Sequence, residues 1–228
     1  IRNLLTNITD ALGNVRNFTY NNAGWLTNSE DVHASVDGTF GSSQFTYDKD
    51  GNTLTETQPN AVVITRTYDA LDRLATVSDS AATGSYTLTY DTCTSGIGRL
   101  CTVDATLPNS NTLNKTFAYG PSEMPTSTSI TTLGNTYTTT YEYTLSDQLK
   151  KTTYPNGTIV RTTYGDWSLP WNTYVTLPGQ SEVTYATYTY DNPTQKILQI
   201  DRLNGPSTYY TYDPSKLYRL IQKKSIAT

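Results

Sequence analysis

The chain has 228 residues, a formal net charge of −4, 36% hydrophobic and 16% charged residues, and 19 Tyr against 4 Phe. A mildly acidic chain without Lys/Arg clusters lacks the footprint that nucleic-acid phosphates demand, and no apolar run reaches the ~18 residues of a membrane span. The length allows a sizeable core, with around 70% of the unfolded surface buried on folding, while the wealth of Thr and Tyr suits strands with one face partly wet.

The chain opens on Ile1-Arg2-Asn3-Leu4, without Met and without the pattern of a signal peptide, and reads as a segment of a longer chain. Thr9-Asp10-Ala11-Leu12-Gly13-Asn14-Val15 has the form of a strand end followed by a turn. From Asn17-Phe18-Thr19-Tyr20 onward a short string ending in Tyr recurs, with anchors Tyr20, Tyr47, Tyr68, Tyr90, Tyr119, Tyr143, Tyr164, Tyr190 and Tyr212. The spacings are 27, 21, 22, 29, 24, 21, 26 and 22 residues, as expected for one supersecondary unit per repeat with loops of differing length.

Each unit carries its own punctuation. In Phe45-Thr46-Tyr47, Leu88-Thr89-Tyr90, Tyr141-Glu142-Tyr143, Tyr188-Thr189-Tyr190 and Tyr210-Thr211-Tyr212 the large residues sit two apart, which is the strand period. Asp follows the anchor at Asp48, Asp69, Asp91, Asp191 and Asp213, placed to cap amides two residues on. Next comes a residue suited to positive φ: Gly24, Gly51, Asp72, Gly98 or Asp147. An apolar residue then restarts a strand at Leu26, Leu54, Leu74, Leu100, Leu149 and Leu220. A second set of reversals falls between anchors at Asp37-Gly38, Pro59-Asn60, Thr83-Gly84, Pro108-Asn109, Gly134-Asn135, Pro155-Asn156-Gly157, Pro178-Gly179 and Asn204-Gly205-Pro206. Each repeat is thus a β-hairpin feeding the next, and no capped helix is needed anywhere.

Tyr68-Asp69-Ala70-Leu71-Asp72-Arg73-Leu74 resembles the Y-D-x-x-G-R-L pattern of RHS, or YD, repeats, with Asp72 in place of Gly. Tyr90-Asp91 with Gly98-Arg99-Leu100 matches it around a four-residue insertion. The resemblance spans essentially residues 1–228 as an array of about nine repeats. It departs at Tyr119-Gly120, Tyr143-Thr144 and Tyr164-Gly165, which lack the Asp, and at Tyr20, where Asn21 stands for Asp and Trp25 for Arg. About eighteen strands at ~4.8 Å each would run roughly 85 Å across, beyond the ~10 strands at which open twisted sheets curl. The expected fold is therefore all-β, a curved or spiral antiparallel sheet of successive hairpins. The resemblance implies that it forms part of a hollow shell. Equivalent anchors are expected on one face, in adjacent strands and touching.

The expected sites follow from the same pattern. His33 beside Glu30 and Asp31 lacks the partners of a zinc ligand or a general base and reads as a solvated loop histidine. The repeated Asp residues form a ladder of turn caps, not the convergent pair of a glycosidase. No catalytic, cofactor or metal residue is assigned. Trp167 and Trp171, in the stretch Gly165-Asp166-Trp167-Ser168-Leu169-Pro170-Trp171, either cover a sheet face or form a stacking platform for carbohydrate. Cys93 and Cys101 flank the inserted turn, where Gly96 and Gly98 let the loop fold back, and a disulfide between them is expected.

The resemblance implies a structural wall that encloses and protects a toxin or other cargo domain. The alternatives are a carbohydrate-binding or cell-surface adhesion module and, more remotely, a polysaccharide-acting enzyme. The implied partners are the rest of the same chain, with further repeats and a C-terminal cargo domain. A cut-out strip would also self-associate through its sheet edges, and a disulfide fits a secreted, extracellular or cell-surface setting.

Overall fold

The computed structural model describes residues 3–81, 84–107 and 111–227. The expected reversal at Pro108-Asn109, and Thr83 of the Thr83-Gly84 reversal, lie outside them. The described residues contain twenty β-strands and two single-turn 3-10 segments, and every strand pairing among them is antiparallel. The fold is an all-β open sheet. Two compact units are present, Ile1–Thr116 with Ile130–Thr136, and Phe117–Ser129 with Tyr137–Thr228.

The first unit holds β1 (Asn7–Thr9), β2 (Asn14–Tyr20), β3 (Leu26–Glu30), β4 (His33–Ala34), β5 (Ser42–Tyr47), β6 (Thr53–Thr57), β7 (Val63–Tyr68), β8 (Leu74–Asp79), β9 (Ser85–Tyr90) and β10 (Leu100–Thr106). It also holds the beginning of β11 (Thr112–Tyr119), which pairs with β10. From β5 to β10 each strand pairs with its sequence neighbour. The one irregular connection lies between β3 and β5, which pair directly while two-residue β4 turns aside onto the start of β2. The remaining strands are β12 (Pro125–Thr132), β13 (Asn135–Tyr143), β14 (Leu149–Thr153), β15 (Ile159–Tyr164), β16 (Pro170–Thr176), β17 (Val183–Tyr190), β18 (Ile197–Arg202), β19 (Gly205–Asp213) and β20 (Arg219–Ile226). In the second unit β13 to β20 pair consecutively.

Alternation of residue types explains the faces. On β7, Thr65 and Thr67 are exposed while Ile64, Arg66 and Tyr68 are half-buried. On the wet face threonines meet across strands, Thr46 with Thr55 at 2.6 Å and Thr67 with Thr76 at 2.7 Å between hydroxyl oxygens. Such cross-strand pairs contribute roughly 0.2–1 kcal/mol each.

The sizeable core allowed by the length is not built. Among the described residues Cys101, Ala105 and Ala186 are the buried apolar ones. The physical reason is that within each unit the strands of the described residues form a sheet whose two faces both stay in partial contact with water. Stability must then come from contacts between neighbouring hairpins.

Candidate functional site

Those contacts form a repeated seam. Every anchor stands at or next to the end of a strand, and in several copies the residue opposite it restarts the chain after a five-residue turn: Tyr47 faces Thr53, Tyr68 faces Leu74 and Tyr143 faces Leu149. A β-bulge interrupts the register just before the anchor in each of these pairs, which re-aims the ring. The next anchor then reaches back. The Tyr47 hydroxyl donates to the Leu26 carbonyl at 2.7 Å, Tyr68 to Thr53 at 3.0 Å and Tyr90 to Leu74 at 2.9 Å. In the second unit Tyr143 donates to Pro125 at 2.9 Å and Tyr164 to Leu149 at 2.7 Å. In each case the accepting residue begins the strand that follows the preceding anchor. Burial pushes the Tyr47, Tyr143 and Tyr164 phenols up, which keeps them protonated as donors.

Expected contact between anchors on adjacent strands is corrected by this arrangement. Tyr47 and Tyr68 stand on β5 and β7, with β6 between them, so the hydroxyl bonds to the intervening strand. The ring is covered instead by the side chain five residues after the preceding anchor. Trp25 lies against Tyr47 with ring centroids 5.3 Å apart, and the Arg73 guanidinium lies over Tyr90 at 4.3 Å. Lys196, six residues after Tyr190, lies over Tyr212 at 5.4 Å. Trp25 at the Arg position of its copy therefore takes the same seat as Arg73.

The turns are closed by backbone and cap together. Asp69 Oδ1 accepts from the Leu71 and Arg73 amides at 2.9 and 3.0 Å, and Asp48 Oδ1 does the same for Asp50 and Asn52, both at 2.9 Å. Asn21 and Thr144, which depart from the repeat pattern, still put a side-chain oxygen on the amides two and four residues on. Gly24, Gly51, Asp72, Gly98 and Asp147 all have positive φ. The inserted turn differs, because Asp91 reaches the Gly98 amide at 2.6 Å. Asp191 accepts from Thr194, and Asp213 caps the 3-10 turn Pro214–Lys216 through the Ser215 amide.

Adjacent turns are also tied to each other. Arg73 donates to Asp69 at 2.7 Å and to both oxygens of Asp91, holding the Asp91 carboxyl below the usual carboxylate range. Asn52 bridges Asp48 and Asp72, each at 3.0 Å. Asp48, Asp50 and Asp72 are thereby gathered into the one acidic cluster with metal-like spacing among the described residues, but Asn52 and Lys49 already occupy them.

Cys93 and Cys101 are joined by a disulfide with Cα atoms 5.5 Å apart, and Cys101 is 1% exposed. Gly96 serves close approach: a Cβ there would stand 2.4 Å from the Cys93 sulfur and 2.7 Å from that of Cys101.

His33 is corrected from a solvated loop residue to a packed one. Its side chain is 7% exposed, stacks on Phe40 with centroids 3.8 Å apart, and sits on β4. Nδ1 lies 2.9 Å from the Ala34 carbonyl oxygen and Nε2 3.1 Å from Glu30, so both nitrogens must donate. That favours the imidazolium and raises the pKa. The pairing of β4 with β2 brought Phe40 and Glu30 around the ring, which spacing alone does not reveal.

Trp167 and Trp171 share a cleft of about 350 Å³ that is also lined by Gly165, Tyr188, Tyr190 and Asn192. Trp171 belongs to β16 and Trp167 to the 3-10 turn Asp166–Ser168. They are 58% and 54% exposed. Trp167 and Ser168 have φ of 58° and 63°, a left-handed conformation that costs roughly 1–2 kcal/mol per non-Gly residue.

The geometry defines a repeat protein whose hairpins are buckled one to the next by tyrosine hydroxyls. The RHS Repeat family model matches residues 2–31 and 47–83 of this chain. No curated protein matches it in sequence. Among solved structures, the TcdB2-TccC3-Cdc42 crystal structure is 17% identical with a TM-score of 0.65, covering 96% of this chain and 13% of that one. The TcdB2-TccC3 crystal structure is 18% identical with a TM-score of 0.60, covering 96% and 13%. The Photorhabdus luminescens Tc holotoxin pore, carrying a TccC3 mutation, is 16% identical with a TM-score of 0.59, covering 97% and 13%. These likenesses concern the fold, and the chain spans only about an eighth of the length of those proteins, 13% in each case.

Proposed function

We propose that this chain is a strip of the wall of an RHS-type shell that encloses and protects a toxin or other cargo domain. The observation that carries the reading is the seam. Tyr47, Tyr68, Tyr90, Tyr143 and Tyr164 each bond to the start of the strand after the previous anchor, so hairpins added in sequence extend the sheet without needing a central core. The fold similarity to the Tc assemblies along nearly all of the chain supports it. On this reading its partners are further repeats and a C-terminal cargo domain of the same polypeptide. It works in a secreted or cell-surface setting, where the Cys93–Cys101 bridge persists. When cut out of such a wall, β20, exposed along its whole length, offers an edge for self-association. No helix of the described residues is long and apolar enough to cross a membrane, which leaves β-barrels unaddressed.

The test is electron microscopy of the full-length polypeptide that contains residues 1–228, combined with limited proteolysis. A hollow particle whose C-terminal domain resists protease until the wall is opened supports the reading. An extended or solid particle with an accessible C-terminal domain refutes it.

A further inference from the structure

We propose that the Cys93–Cys101 bridge is a thiol–disulfide exchange site, at which a small monothiol is captured as a mixed disulfide on Cys93 while Cys101 is the leaving sulfur. The proposal stands on the inserted turn alone and does not rest on the wall reading.

The two sulfurs are placed unequally. Cys101 is 1% exposed, whereas Cys93 is half-buried in a turn whose Thr92, Thr94, Ser95 and Ile97 are exposed. Cys101 is also the extra residue of the β-bulge at its anchor, since Tyr90 faces Leu100 and Thr89 faces Thr102. A bulge re-aims its side chain, and the same position carries Leu54 and Ala75 in the copies at Tyr47 and Tyr68. Packing at this position is met elsewhere by a plain apolar side chain, so the repeat itself does not call for a sulfur.

The chemistry favours one direction. A thiolate attacks the sulfur it can reach, and the step is faster when the departing thiolate is stabilised. Access selects the Cys93 sulfur. The Cys101 sulfur already accepts from the Cys93 amide at 3.0 Å, so negative charge developing on it as it leaves meets a fixed N–H dipole. The bond from the incoming sulfur to Cys93 Sγ forms as the Cys93–Cys101 bond breaks, with no net oxidation. The proton given up by the incoming thiol ends on Cys101, with the Arg99 carbonyl 3.8 Å away as its acceptor.

The turn is built to survive the step and to reverse it. Gly96 donates to the Cys93 carbonyl at 2.9 Å, Arg99 to Gly96 at 2.8 Å and Asp91 to Arg99 at 3.0 Å, so the backbone closes the loop without the bridge. Asp91 also accepts from the Gly98 amide at 2.6 Å and is gripped through both oxygens by Arg73 of the preceding turn. With the loop held in this way, Cys101 stays opposite Cys93 and expels the captured thiol once free thiol is withdrawn.

The experiment incubates the oxidised 228-residue chain with millimolar reduced glutathione, quenches with N-ethylmaleimide and maps both cysteines by peptide mass spectrometry. Glutathione on Cys93 with maleimide on Cys101 is expected to exceed the reverse pattern about tenfold or more, as the difference in access dictates. Removing free glutathione before the quench should restore the bridge. Two variants test access without the bridge. Cys101→Ser should take glutathione from glutathione disulfide onto Cys93, and Cys93→Ser should react at Cys101 about tenfold more slowly or less. Should either variant fail to fold by circular dichroism, cysteamine on the parent chain takes its place, and the same preference for Cys93 is expected because access and not charge selects the sulfur. The proposal is overturned by adducts shared evenly or found mainly on Cys101, or by equal reactivity of the two variants. It is equally overturned by a bridge that stays closed, by one that opens without a trapped adduct, or by a mixed disulfide that persists after glutathione is removed.

Discussion

The Tyr68 hydroxyl donates to the carbonyl of Thr53 at 3.0 Å, and Thr53 is the residue that faces Tyr47, the preceding anchor. Two successive repeats thus share one hydrogen bond that neither could make alone. Tyr68→Phe keeps the ring and deletes the bond, and should destabilise by about 1 kcal/mol. Urea unfolding checks the magnitude. Faster amide exchange in β6 and β7 than in β10 would show that the loss is local, whereas an unchanged midpoint would mean the seam contributes nothing.

Ala61 and Gly157 occupy the same place in two between-anchor turns. In both, the amide closes back three residues, Ala61 to the Gln58 carbonyl and Gly157 to that of Tyr154, each at 2.9 Å. Both have positive φ, 63° and 84°. Ala61→Gly should therefore stabilise by about 1 kcal/mol and Gly157→Ala destabilise by a similar amount. Opposite shifts in thermal midpoint are expected, and shifts of the same sign would contradict the shared geometry.

Gly96→Ala places a methyl group against both sulfurs of the bridge and should prevent Cys93 and Cys101 from closing without movement of the turn. Intact mass after alkylation without reductant should show two blocked thiols in the variant and none in the parent. Reducing the parent should cost about 2.5 kcal/mol for a loop of about nine residues in the chain-entropy model. A variant that oxidises as readily as the parent would mean the turn has room to spare.

His33 is the single histidine, so its titration is directly visible by proton NMR. Hydrogen bonding to the Ala34 carbonyl, then to Glu30, raises its pKa above the ordinary 6.5. The charged ring holds Glu30 below its ordinary 4.5. A raised histidine contributes stability that is complete below about pH 6.5 and is lost as pH climbs through the folded value. A depressed carboxyl contributes stability that is present above about pH 4.5 and is lost as pH falls through its folded value. The pair should therefore help most between those limits, and His33→Gln should flatten this part of the pH–stability curve. A measured histidine pKa at or below 6.5 would remove the argument.

The all-β class and the repeat are legible in the sequence because both rest on local chemistry. A period of two, an acceptor after the anchor and a residue tolerant of positive φ act within a few neighbours, so they leave a linear trace. Asn21 and Thr144 appear as departures in the sequence, yet each offers the same oxygen to the same amides. What the tertiary structure decided lies across strands. The bulge at each anchor, the hydroxyl that skips to the intervening strand and the seat shared by Trp25 and Arg73 depend on register, which no single segment encodes. The same holds for His33, whose partners arrive only when β4 folds onto β2. It holds as well for the cleft, which forms only where the Trp167 turn, Trp171 and β17 come together. Local hydrogen bonding and backbone preference belong to the sequence, and distances between side chains far apart in the chain belong to the folded sheet.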